Sequence, residues 1–210
     1  ALFGPEHGFA AVAGAGESVA DRVHPELGIP VFSLYGATRR PTVAMLDCVD
    51  VLVFDLQDLA VRCYTYVSTL CHVLDAAAEA GKTVIVADRP VPFPITVDGP
   101  LLNPAQRSFV GHIDAPLVYG MTPAETAQWL QKQCGLEVTL LCAPMAGYER
   151  ETYRPAEWGA WVRPSPGIKS WETAWYYPAT VWTEALPMVD CGRLGSDAFR
   201  VIGAPWINGE

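Results

Sequence analysis

The stretch from Val51 to Asp88 decides the fold. It opens with Val51-Leu52-Val53-Phe54-Asp55 and closes with Thr83-Val84-Ile85-Val86-Ala87-Asp88. Each is a short apolar run, partly β-branched, that stops at an acid, and such a run fits a strand covered on both faces. Between them Val67, Leu70, Cys71, Leu74, Ala77 and Ala78 recur at helical spacing, and Gly81 stands where a helix ends. Strand, helix and strand form a βαβ unit, which predicts two parallel strands joined by a right-handed crossover.

The pattern continues downstream. In Thr122-Pro123-Ala124-Glu125, Thr122 and Glu125 match a capping box and Pro123 takes the first helical position. This helix should run to about Cys134, with Gly135 as its stop, and residues 138–142 read as a further strand. The chain is therefore expected to be α/β over residues 1–143. Beyond that the texture changes. Tyr148, Tyr153, Trp158, Trp161, Trp171, Trp175, Tyr176, Tyr177 and Trp182 crowd a segment broken by Pro155, Pro164, Pro166, Pro178 and Pro187, with little helical period. Residues 144–210 are expected to begin a second, more irregular unit of α+β character. The chain opens without Met on strand-like Ala1-Leu2-Phe3 and stops just after Pro205-Trp206-Ile207, so an internal piece of a longer protein is expected.

Composition narrows the function. Half of the 210 residues are hydrophobic and 18% are charged, as in a packed globular protein. The net charge of −9 and the lack of any Lys/Arg run leave out the electrostatic attraction that dominates nucleic-acid binding. No apolar run approaches the roughly 18 residues needed to span a bilayer. Six cysteines (Cys48, Cys63, Cys71, Cys134, Cys142, Cys191) show no C-x-x-C pair or zinc-finger spacing and read as buried thiols. A P-loop, a G-x-G-x-x-G fingerprint and a G-x-S-x-G elbow are absent, so no cofactor is expected. His7, Asp55, Asp58, His72 and Asp88 follow no known zinc or calcium spacing, which predicts activity without a metal and survival in EDTA.

Three candidate strands lead to an acid: Leu2-Phe3 through Gly4-Pro5 to Glu6, the second to Asp55 and the third to Asp88. Ligands of parallel sheets bind outside the carboxyl ends of the strands, so the three acids are expected on one rim. Further polar groups follow each: His7, then Gln57, Asp58 and Arg62, then Arg89. Glycoside hydrolysis needs this kind of equipment, an acid to protonate the leaving oxygen and a second group to handle water or the sugar cation. Gly4 and Gly8 around Glu6 suit a tight turn beside a ligand. Seven Trp and eight Tyr offer faces for sugar rings. The rival reading for each acid is a helix cap or a partner for an arginine.

On these residues the chain resembles a known family. Leu2-Phe3-Gly4-Pro5-Glu6-His7-Gly8-Phe9, Pro30-Val31-Phe32-Ser33-Leu34-Tyr35-Gly36, and Val51 to Asp58 with Arg62, Tyr64, Thr65 and Tyr66 are similar to blocks of the exo-β-N-acetylmuramidases, first catalogued as a domain of unknown function. Ala87-Asp88-Arg89-Pro90, Asp98-Gly99-Pro100, Ser108-Phe109-Val110-Gly111, Tyr119-Gly120-Met121-Thr122, Pro164-Ser165-Pro166 and Gly203-Ala204-Pro205-Trp206 continue the likeness in order. The resemblance implies a bacterial hydrolase, secreted or held in the periplasm, that removes N-acetylmuramic acid from the non-reducing end of peptidoglycan fragments. It also implies a Rossmann-like domain followed by a smaller one, with the active site in a cleft between them and the glutamate of the Gly-Pro-Glu-His-Gly block, Glu6, as catalytic residue.

On this combined reading Glu6, Asp55 and Asp58 are the catalytic candidates. His7, Gln57, Arg62, Tyr64, Tyr66, Asp88 and Arg89 are the substrate-binding ones, with Arg62 and Arg89 as cations for the lactyl carboxylate and Arg39 and Arg40 left to solvent. Two departures stand out. Tyr119 replaces a usual histidine, and Glu184-Ala185-Leu186 through Cys191-Gly192-Arg193-Leu194-Gly195 replaces a stretch expected to be rich in glycine and asparagine. The competing classes are a non-catalytic module that binds cell-wall sugars and a metal-dependent hydrolase of phosphate or amide bonds.

Overall fold

The computed structural model describes residues 1–151, 160–193 and 195–209. Tyr153, Pro155 and Trp158 of the aromatic segment, and Leu194, lie outside the described residues. The chain divides into two compact units, Ala1–Tyr153 and Arg154–Glu210.

The first unit is α/β. Strand β1 (Leu2–Gly4) pairs in parallel with β3 (Pro30–Ser33), and β2 (Arg22–Val23) adds antiparallel to the other side of β3. After a single helical turn, α1 (Val43–Leu46), comes the expected βαβ unit: β4 (Val51–Phe54), α2 (Tyr66–Glu79) and β5 (Thr83–Ala87). Helix α3 (Pro123–Cys134) and strand β6 (Thr139–Ala143) complete a second, all-parallel sheet of order β4-β5-β6. This is the Rossmann-like arrangement. The α3 start carries the reciprocal capping box, with the Thr122 hydroxyl accepting from the Glu125 N–H at 3.4 Å and the Glu125 carboxylate from the Thr122 N–H at 2.9 Å. Gly135 closes the helix in the left-handed region at φ 62°.

The core lies between the second sheet and its helices. Leu52, Phe54, Val84 and Val86 point into a cluster with Val67, Leu70 and Leu74 of α2 and Ala124, Ala127 and Leu130 of α3. The alternate residues are less covered, contrary to the expectation of strands buried on both faces: Thr83, Ile85 and Ala87 of β5 are half-buried, and those of β4 and β6 are exposed. Val51, Val53 and Leu141 are 44%, 65% and 52% exposed. Both α2 and α3 pack against this second sheet. The cysteines need a correction too: only Cys191 is buried, while Cys48 and Cys134 are exposed.

In the second unit, α4 (Trp171–Thr180) runs into a 3₁₀ stretch at Val181–Ala185. Ser170 caps α4 by accepting from the Thr173 N–H at 3.2 Å. No helix among the described residues is long and apolar enough to cross a membrane.

Candidate active site

Glu6 follows β1 in a turn closed by the Gly8 N–H on the Pro5 carbonyl at 2.9 Å. His7 takes the left-handed conformation, φ 72°, which disfavours most side chains and is stabilised here by the contact of its Nδ1 with the Ala13 carbonyl at 2.8 Å. Gly4 permits the fold-back, because a Cβ there would lie 2.7 Å from the Phe9 nitrogen. The result is a carboxylate 7% exposed at the carboxyl end of a strand.

Its partners come from three other segments. Oε1 accepts from the Gly16 N–H at 2.8 Å, and Oε2 from the Thr65 hydroxyl at 2.6 Å. The Tyr35 hydroxyl also bonds to Glu6, and burial together with that neighbouring carboxylate raises the pKa of the phenol. Thr65 is the residue preceding α2, yet its side chain caps no backbone N–H of that helix. The hydroxyl that would normally stabilise the helix start is given to Glu6 instead.

Asp58 is 5% exposed, on the loop after β4. Its Oδ1 accepts from the Ala60 N–H at 2.7 Å and from the Tyr119 hydroxyl at 3.2 Å. Burial outweighs both bonds and pushes the carboxyl up to about 6. Tyr119, in the position noted as a departure, is thus a direct partner of this acid, and burial raises its own pKa. Tyr66 feels the charges of both Asp58 and Glu6, after burial the chief cause of its raised pKa, and its ring meets Tyr64 edge-on with centroids 4.9 Å apart. Glu6, Asp58, Tyr64 and Tyr66 are therefore brought together.

The other candidates are engaged elsewhere. Asp55 and Asp88 end adjacent strands of one sheet and Glu6 follows a strand of the other, so the three acids do not end strands of a single sheet. Asp55 is exposed and paired with Arg89 at 2.6 Å. Asp88 holds the start of α3, accepting from the Ala124 N–H at 2.9 Å and the Thr122 hydroxyl at 3.0 Å. Gln57 ties two loops by donating to the carbonyls of Asp58 and Pro90 at 2.9 and 2.7 Å. Arg62 is 8% exposed and donates to the carbonyls of Pro100, at 2.8 Å, and Ala115. In the second unit, Arg193 and Glu184 form an exposed pair at 3.0 Å.

Sequence reasoning did not single out Gly16, Tyr35 and Thr65 as the residues that hold Glu6. Tyr35 and Thr65 lay inside the blocks quoted for the family likeness, and nothing local marked Gly16. Among the described residues no group of three or more His, Cys, Asp or Glu side chains is arranged to hold a metal ion.

The chain has relatives among known proteins. The chain is 39% identical over 208 residues to the peptidoglycan β-N-acetylmuramidase NamZ of Bacillus subtilis (strain 168), a match covering 99% of this chain and 50% of that protein. It spans about half the length of the curated relative it matches. Among solved structures, a DUF1343 family protein from Bacteroides fragilis NCTC 9343 superimposes with a TM-score of 0.89 at 34% identity, covering 99% of this chain and 53% of the other. A second DUF1343 family protein of that organism gives 0.77 at 31%, covering 89% and 51%. The model of the exo-β-N-acetylmuramidase NamZ family, N-terminal part, matches residues 1–172, and the chain belongs to that family.

Proposed function

We propose that the protein is a glycoside hydrolase of peptidoglycan, acting outside the cytoplasmic membrane, in the periplasm or beyond the cell. It releases N-acetylmuramic acid from the non-reducing end of glycan fragments, with Glu6 as the acid that protonates the leaving oxygen. One observation carries the reading: a buried glutamate at a strand end, held by Gly16, Tyr35 and Thr65 from separate segments. Family membership and the printed name of the Bacillus relative support it.

The contacts of Glu6 serve its protonated form as well as its ionised one. The Thr65 and Tyr35 hydroxyls can turn to accept a proton from the carboxyl, and only the Gly16 N–H is fixed as a donor. As the bond from the anomeric carbon to the leaving oxygen breaks, the Glu6 proton moves to that oxygen; a water molecule then supplies the new hydroxyl at the anomeric carbon, and the proton it releases restores the acid form of Glu6 by way of solvent. Asp58 stands behind Tyr66 and Tyr119 as the second carboxyl, and the acetamido group of the sugar is the other source of assistance to the cation.

Glu6→Gln in the full-length protein tests this. It should leave folding intact and lower turnover at least about 10²-fold, as loss of a general acid does. Near-normal activity removes Glu6 from the mechanism. Wild-type protein that binds the fragments but releases no sugar is a binding module instead.

A further inference from the structure

Most arginines of the first unit have a polar partner, Arg22 and Arg39 being without an ion pair among the described residues. Arg40 lies 3.2 Å from Asp75 and 2.5 Å from Glu79, Arg89 is bound to Asp55, Arg107 to Asp114 at 2.6 Å, and Arg62 to backbone carbonyls. Arg39 differs. Its guanidinium carbon lies 4.6 Å from the centroid of the Tyr35 ring and 4.7 Å from that of Phe109. No Asp or Glu among the described residues forms an ion pair with it. It is exposed while both rings that hold it are buried or half-buried.

The platform is fixed from beneath. The Tyr35 N–H donates to the Ser33 hydroxyl at 3.1 Å and its carbonyl accepts from the Val19 N–H at 2.8 Å. The Phe109 carbonyl accepts from the hydroxyl of Ser68, a fully buried residue of α2, at 2.6 Å. A planar cation resting on two anchored rings loses little freedom when it binds, and its fork matches both oxygens of a carboxylate. Tyr35 also sets the distance, since its ring carries Arg39 while its hydroxyl bonds Glu6. The phenol keeps the cation from collapsing onto the acid. Arg39 and Glu6 thus engage different parts of one side chain, the ring face and the hydroxyl.

We propose that Arg39 is the specificity residue of the site: it receives a carboxylate carried by the sugar whose glycosidic bond faces Glu6. This rests on the reading above, in which that sugar is N-acetylmuramic acid. Its lactyl ether at C3, separated from the anomeric carbon by C2 alone, places a carboxylate on the same sugar as the bond to be cleaved but away from that bond. The anion was expected to meet Arg62 or Arg89; their guanidinium groups are committed to carbonyls and to Asp55, and Arg39 takes that role.

The test compares N-acetylmuramic acid with its methyl ester at the lactyl carboxylate, binding each to the full-length protein by calorimetry. Wild type should prefer the acid, and Arg39→Met should abolish a preference of roughly 10- to 100-fold, the value of a hydrogen-bonded charge pair. Arg39→Lys should restore part of it, because the charge returns without the planar fork. Equal binding of acid and ester by wild type, an unchanged ratio in Arg39→Met, or equal loss for both ligands overturns the proposal; the last outcome makes Arg39 a packing residue. Sugar release from glycan fragments is scored separately. Wild type that prefers the acid yet releases no sugar keeps Arg39 as the anion site and refutes the hydrolase reading alone.

Discussion

Replacing Asp58 by Asn separates what burial does to this carboxyl from what its hydrogen bonds do. Burial raises its pKa from an ordinary 3.8 to about 6, although the Ala60 N–H and the Tyr119 hydroxyl both bond it. The folded protein therefore holds this proton more tightly than the unfolded chain. Its contribution to stability is fully present below pH 4 and is lost as the pH rises through about 6. At about 1.4 kcal/mol per unit, the loss is at most about 3 kcal/mol. Asparagine keeps the shape and an oxygen for Ala60 and Tyr119 but carries no charge to desolvate. Asp58→Asn should therefore raise the stability of the full-length protein by roughly 1 to 3 kcal/mol at pH 8 and change it little at about pH 3.5, below both pKa values. Urea midpoints at the two pH values, followed by tryptophan fluorescence, measure the difference. A variant less stable at pH 8, or shifted equally at both, would refute the reasoning and show that Asp58 serves as an ionised acceptor.

Thr122→Ala removes the cap of α3 and the bond to Asp88 together, and thermal melting should report a loss of about 1 to 2 kcal/mol. Gly36→Ala places a Cβ 2.3 Å from the Val19 carbonyl oxygen, so the loop bearing Tyr35 must shift; the same melts should show a loss above about 1 kcal/mol. Thr65→Val takes the hydroxyl from Glu6 without removing a helix cap, because none is made. Steady-state kinetics should give a kcat about tenfold lower, an altered pH profile, little change in KM, and recovery in Thr65→Ser.

The elements from 51 to 88 and from 122 to 135 were legible because their signals are local: β-branched runs, helical spacing, a capping box and a left-handed glycine. Helix α4 was not. Its buried positions are Thr173, Ala174, Tyr177 and Thr180, small or polar except one, while the large rings of Trp175 and Tyr176 face solvent and Pro178 sits inside it. The apolar pattern there runs against the buried face. Hydrophobic Val51 and Val53 read as buried because sequence reports what a side chain prefers, not what lies over it. In the site, the strand-end rule gave Glu6, Asp55 and Asp88 equal weight. What separates them is contact over long separations, such as the 59 residues between Glu6 and Thr65, against an arginine and a helix start that occupy the other two.

The exposed valines of the second sheet matter for handling the molecule. In the order β4-β5-β6, β4 is an edge strand, and it presents two exposed valines beside a row of backbone groups that only one neighbour satisfies. Produced on its own, this stretch is a template onto which another copy can add a strand. Its exposed valines act against the solubility that the charge of −9 favours. A single lysine at position 53, on the solvent side of that strand, acts as a gatekeeper against filaments while leaving Leu52 and Phe54 in the core.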